Sequence, residues 1–364
     1  MKTIILSCIA AFVAALFLCG TLRAVTPAEP ETSDATASAA ARRTVVTAAG
    51  ATFPLPFYNE AFKAYWEKND IPVTYAGIGT ERGIKSLRSL QIDFAGVDVP
   101  LTADELEAMP AATVLVPTCM GAVVVAYHLD GVDNLRLTGE LIADIFMGRI
   151  VKWNDARIAA VNPTASLPDK EIYPVFRLDG SGTTYVFSDY LSKVSPAWKE
   201  SVGTGKSLTF PRGVAATGNP GIAGLVEKIP GAIGYIASEY AFTFDIQRAW
   251  LRNASGSYIL PSPESVTAAA QQQALDTNAM LTDSPVAEAY PISCFSWVML
   301  YKEQNYHGRT REQAAETLRV LRWLVGPEAQ NKASQVQFSP LPTAVAARAL
   351  ELLDSVTYDG KRIK

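Results

Sequence analysis

From residue 44 onward, strand-like and helix-like patterns alternate, and no other feature constrains the chain as much. Such alternation specifies an α/β protein with largely parallel sheets. Residues 44–48 read as a strand, after which Pro54 or Pro56 opens a helix. Its apolar stripe is Tyr58, Ala61, Phe62, Tyr65 and Trp66, spaced i, i+3, i+4, i+7 and i+8. Residues 72–76 make the next strand, and Thr80 is expected to cap a short helix carrying Ile84 and Leu87. Residues 92–97 form a strand that delivers Asp98 to its C-terminal edge, where ligands of open α/β sheets bind.

Two strongly apolar strands, 122–127 and 295–301, read as crossings between two lobes. Between them a second α/β unit is expected. It has a helix over 141–146 capped near Thr138, and a strand over 172–177. A helix with Phe187, Tyr190, Leu191 and Val194 on one face follows that strand. Asn219-Pro220 reads as a cap-plus-Pro helix start ahead of Ile222, Leu225, Val226 and Ile229. Residues 231–235 form a buried strand, and helices over 311–325 and 342–356 complete the chain. The expected organisation is lobe I over 44–126 plus 296–364, and lobe II over 127–295.

The 364 residues are 49% hydrophobic and 19% charged, enough apolar material for two cores. A net charge of −4 argues against general nucleic-acid binding. Met1-Lys2 followed by an apolar run over 4–18 reads as a secretory signal, too short for a comfortable membrane span. Cleavage after Ala24 is expected, leaving a periplasmic or cell-surface protein. Lipid attachment at Cys19 is the rival, with bulky Leu18 where a small residue is usual. Residues 25–43 read as a disordered linker. Without residues 1–24 the chain has 30 basic against 36 acidic residues, so attraction for an anion must be local. Cys119 and Cys294 remain in an exported chain, each leading into an apolar run. Pairing of those runs as neighbouring strands would allow a disulfide; two buried free thiols are the favoured reading.

The run Arg177-Leu178-Asp179-Gly180-Ser181-Gly182-Thr183-Thr184 sets a guanidinium and hydroxyls where a strand turns into a helix. Backbone N–H groups at a helix start, with the dipole behind them, attract an anion, and Arg adds a forked donor. Gly50-Ala51-Thr52-Phe53-Pro54 and Gly77-Ile78-Gly79-Thr80 repeat the arrangement without the Arg. Three such corners point to a pocket for a small tetrahedral oxyanion.

These stretches, with residues 93–98, 202–205, 230–235 and Leu341-Pro342, resemble in order the phosphate-binding receptors of bacterial phosphate ABC importers, the PstS family. The resemblance implies a type II periplasmic-binding-protein fold, two α/β lobes joined by two hinge strands and closing over one inorganic phosphate. It implies ligand contacts from Thr52, Phe53, Thr80, Asp98, Arg177, Ser181, Gly182 and Thr183. It also implies partners in the membrane permease and ATPase subunits of the importer.

Chemistry supports that assignment. Phosphate near neutral pH keeps a proton on part of its population, since a phosphoryl group's second pKa is roughly 6. Asp98 can accept that proton, whereas it repels sulfate, which has none. At an effective dielectric of about 20 and about 4 Å, one like-charge pair costs roughly 4 kcal/mol. That is about three decades of discrimination. Arg177 and Asp179 lie two apart, so an extended segment puts both on one face, and Asp179 is expected to hold the guanidinium. Ser181 and Thr183 read as helix caps that also donate to the anion.

The chain departs from the family at Thr80-Glu81-Arg82-Gly83, where small residues are usual, and Glu81 and Arg82 are expected to face solvent. That departure keeps arsenate or another protonated oxyanion as an alternative ligand. Several other motifs fail. Gly203-Thr204-Gly205-Lys206-Ser207 has Glu200 where a P-loop needs its first glycine. Ser181 lacks the flanking glycines of a nucleophile elbow, which weakens a secreted phosphatase as a further alternative. His128 and His307 have no partners at metal-ligand spacing. The chain is therefore expected to be a monomeric binding protein with no catalytic residue, metal or cofactor.

Overall fold

The computed structural model describes residues 45–271 and 279–363. The leader, Cys19 and the linker over 25–43 lie outside the described residues. Among the described residues no helix is long and apolar enough to cross a membrane.

Small and branched apolar residues at Val46, Ala48 and Ala49 let the first strand, Val46–Gly50, be buried and paired on both edges. It runs parallel to Val73–Gly77 on one side and Phe94–Val97 on the other. All three strands point their C-terminal ends the same way. Gly50, at φ +147°, is required there, because any side-chain carbon would overlap the Gly96 carbonyl. The Gly50 carbonyl accepts from the N–H groups of Ile78 (2.9 Å) and Gly79 (2.8 Å), tying two of the corners together.

The sheet continues through two long strands whose residues are almost all buried, Ser293–Tyr301 and Thr113–Tyr127. These pair antiparallel, with each other and with their outer neighbours, so the centre departs from the largely parallel expectation. One strand leaves the first half of the sheet and the other returns to it, and they must therefore run in opposite directions. Thr113–Tyr127 pairs through Ala122 with Ser293–Tyr301, and from Val123 onward with Ala232–Ala237. Beyond it lie Tyr173–Arg177 and Val214–Ala216, again parallel. Only the first of the two expected crossings is thus a strand shared by both halves. The return precedes Ser293, where the Ile292 carbonyl accepts from Val123 N at 2.8 Å.

That register also bears out the free-thiol reading of the cysteines over a disulfide. The two strands do pair, yet Cys119 opposes Ser296 and Cys294 opposes Gly121, and both cysteines are free and buried.

Helices cover both faces. In Leu55–Asn69, Tyr58, Ala61, Phe62 and Tyr65 are buried as expected, but Trp66 is 51% exposed. At about 100° per residue Trp66 falls some 80° round from Tyr58, at the margin of the stripe. The C-terminal helices Arg311–Leu324 and Thr343–Asp354 pack on the first half, joined by Pro327–Gln335, which the periodicity did not reveal. In the second half Phe187 stacks on Tyr235 with ring centroids 4.3 Å apart. This anchors helix Gly182–Val194 to the sheet directly behind its own N-terminus.

Candidate functional site

The C-terminal ends of the parallel strands in the two halves face one another, and every residue expected to contact the anion lies at that junction. Thr52, Phe53, Thr80, Asp98, Arg177, Ser181 and Thr183 are all 5% exposed or less.

Arg177 ends its strand pinned by Asp179, as the spacing of two predicts. Its Nε donates to Asp179 Oδ1 at 2.8 Å and its Nη2 to Oδ2. Gly218 N also donates to Oδ1, at 3.0 Å. Burial alone would raise the Asp179 carboxyl, but the Arg177 bonds and charge outweigh it and hold it below the ordinary range. Both side chains are nearly sealed from solvent, so this is no surface ion pair. Arg177 Nη1 has no hydrogen-bond partner among the described residues.

Ser181 is the N-cap of helix Gly182–Val194, its Oγ accepting from Thr184 N at 3.1 Å. Thr183 lies inside the helix and is no cap, which corrects half of that expectation. Asp98 approaches the helix start so closely that a side-chain carbon on Gly182 would lie 2.6 Å from Asp98 Cβ. Only glycine fits. Ser296 Oγ donates to Asp98 Oδ1 at 2.9 Å. Burial pushes the Asp98 carboxyl up to about 7, although Ser296, the Arg177 charge and Thr80 each pull it down.

Thr80 does not cap its helix. Gly79 occupies the N-cap position, and Thr80 Oγ1 accepts instead from Gly182 N at 3.1 Å, across the junction. Asn219 is not a cap either. The helix Gly218–Lys228 is preceded by Thr217, and the Asn219 side chain turns into the site. Thr52 Oγ1 accepts from Asn219 N and Nδ2, each at 3.0 Å, while the Thr52 carbonyl accepts from Tyr240 Oη at 2.7 Å. The Phe53 ring packs edge-on to Phe338 with centroids 5.9 Å apart.

Residues 34–328 match the PBP superfamily domain. The chain is 38% identical over 303 residues to the phosphate-binding protein PstS of Xylella fastidiosa (strain 9a5c), covering 82% of this chain and 81% of that one. The chain belongs to the PstS family. Its fold matches the phosphate-binding protein from Stenotrophomonas maltophilia, with TM-score 0.65, 19% identity and coverage of 84% and 92% of the two chains. It also matches an ABC-type phosphate transport receptor from Vibrio cholerae, with TM-score 0.52, 17% identity and coverage of 81% and 99%. The type II periplasmic-binding-protein architecture expected for a PstS chain is therefore present.

Against that family background, the departure at Glu81 and Arg82 takes a definite form. Both side chains are exposed, as expected. Glu81 nevertheless crosses the opening: its N donates to the Gly180 carbonyl at 3.2 Å, and a side-chain carbon on Gly180 would overlap the Glu81 side chain. Sequence reasoning missed Glu239, 1% exposed, whose Oε1 accepts from Ser238 Oγ at 2.9 Å. Its Oε2 has no partner, and burial raises its carboxyl well above the ordinary range. Nothing in the local pattern at Ala237-Ser238-Glu239 distinguishes it from an exposed first-turn acid.

Proposed function

We propose that this chain is an extracytoplasmic receptor that captures inorganic phosphate between two lobes. It then hands the ion to the permease and ATPase subunits of a phosphate ABC importer. The observation that carries the reading is the pairing of Asp98 with the Gly182 helix start beside Arg177: one buried acid facing a nest of donors. The names of the Xylella relative and the Vibrio receptor support the same ligand and the same partners.

The phosphate contacts are Thr52, Phe53, Thr80, Asp98, Arg177, Ser181, Gly182 and Thr183. Lobe I comprises 44–126 plus 296–364 and lobe II 127–295. The hinge is the shared strand Thr113–Tyr127 together with the return before Ser293. Closure is stable when the anion bridges donors from both lobes. Asp98 and phosphate hold one proton between them. With the Asp98 pKa near 7 and a phosphoryl second pKa of roughly 6, that proton is available at neutral pH. Sulfate supplies none.

The chain acts as a monomer and makes or breaks no bond. Ser181 Oγ is engaged as a helix cap. Phosphate-ester turnover that Ser181→Ala abolishes would overturn this part of the proposal.

Calorimetric titration with phosphate, arsenate and sulfate tests the whole. Tight phosphate binding with sulfate at least two decades weaker is expected. Sulfate binding as tight as phosphate would remove the role given to Asp98, and tighter arsenate binding would reassign the ligand.

A further inference from the structure

A hydroxyl has one hydrogen to give and two lone pairs to receive with. At Thr52 both lone pairs are taken, by Asn219 N and Asn219 Nδ2 at 3.0 Å each. Its hydrogen is all that remains. The second Nδ2 hydrogen of Asn219 goes to Thr183 Oγ1 at 3.3 Å. Asn219 Oδ1 accepts from Ala237 N at 2.9 Å, which fixes the orientation of the amide, since a flipped amide would set N–H against N–H. Asn219 is 0% exposed, so no water competes for these bonds.

We propose that Asn219 is a positioning residue that leaves the Thr52 hydroxyl only its hydrogen to offer, and that orients the Thr183 hydroxyl from the other side of the cleft. This rests on the phosphate reading above. Thr80 Oγ1 and Ser181 Oγ each accept one backbone N–H, from Gly182 and Thr184, which leaves each a second lone pair. A merely structural Asn219 would influence phosphate only through overall stability.

A double-mutant cycle separates the two roles. Phosphate affinity is measured by calorimetry for the wild type, Asn219→Ala, Thr52→Val/Thr183→Val, and the triple variant. Asn219→Ala should weaken phosphate about 30-fold, the scale of a hydrogen bond to a charged group. In the Thr52→Val/Thr183→Val background the further loss should shrink to about threefold or less. Equal losses in both backgrounds would overturn the inference while leaving the receptor reading intact. Failure of the wild type to bind phosphate would overturn both. If Asn219→Ala does not fold, Asn219→Ser carries the same cycle with the same two outcomes.

Discussion

Lys206 reaches across the opening of the cleft to donate through Nζ to Glu105 Oε1, joining segments 101 residues apart. Lys206 lies in the loop whose carbonyl accepts from Ser181 N at 2.9 Å, and Glu105 in the short helix after Asp98. The pair ties together two segments that flank the site. Burial would raise Glu105, but Lys206 and Thr102 outweigh it and hold its carboxyl below the ordinary range.

Glu105→Gln should therefore loosen the closed state and leave the anion contacts in place. A partly exposed ion pair of about 1 kcal/mol predicts phosphate dissociation about fivefold faster, with little change in association. Stopped-flow tryptophan fluorescence reads both rates. The Glu105 contribution is present above its unfolded pKa and is lost as pH falls through the lowered folded value. The wild type should then approach the variant's dissociation rate in acid. An unchanged rate at neutral pH would show the contact to be dispensable.

Asp98 titrates in the opposite sense. Its carboxyl is raised to about 7 from an ordinary 3.8, so its contribution to stability is fully present below the unfolded value and is lost as pH rises through about 7. Ligand-free wild type should lose up to about 4 kcal/mol relative to Asp98→Asn between those limits. Urea unfolding of both proteins at about pH 5 and about pH 8.5 reads the part of this loss that lies above pH 5, about 3 kcal/mol. In binding, Asp98→Asn should reduce the preference for phosphate over sulfate more than it reduces phosphate affinity. Unchanged preference would refute the proton-sharing account.

Gly182→Ala places a methyl group against Asp98 Cβ, 2.6 Å away. The clash exists only when the two sides of the cleft meet, so ligand-free stability should change little. Phosphate affinity should fall by at least about tenfold, in line with overpacking costs of 1–3 kcal/mol. Small-angle scattering should show a dimension that no longer shrinks when phosphate is added.

Asp179→Asn leaves the Arg177 guanidinium buried with its main counter-charge removed. Breaking one side of a buried pair costs about 3–5 kcal/mol. The ligand-free melting temperature should drop, and saturating phosphate should restore a larger share of it than in the wild type, because the anion replaces the lost charge. Thermal scans with and without phosphate give both numbers.

What the amino-acid order determined by itself was everything decided within a few residues. The alternation of strands and helices, the Arg177–Asp179 pair, the Ser181 cap and the placement of Asp98 at a strand end all follow from spacing, since the bonded groups are covalent neighbours. The site residues named through the family resemblance also gather at one junction. The tertiary structure alone decided which polar groups meet across that junction. Thr80 and Asn219 both read locally as helix caps, yet their partners lie 102 and 167 residues away, in Gly182 and Thr52. The offset of Cys119 from Cys294 was likewise hidden until the strand register was set. A short polar side chain satisfies whichever donor or acceptor the fold brings nearest, and sheet order, not sequence spacing, brings the two sides together.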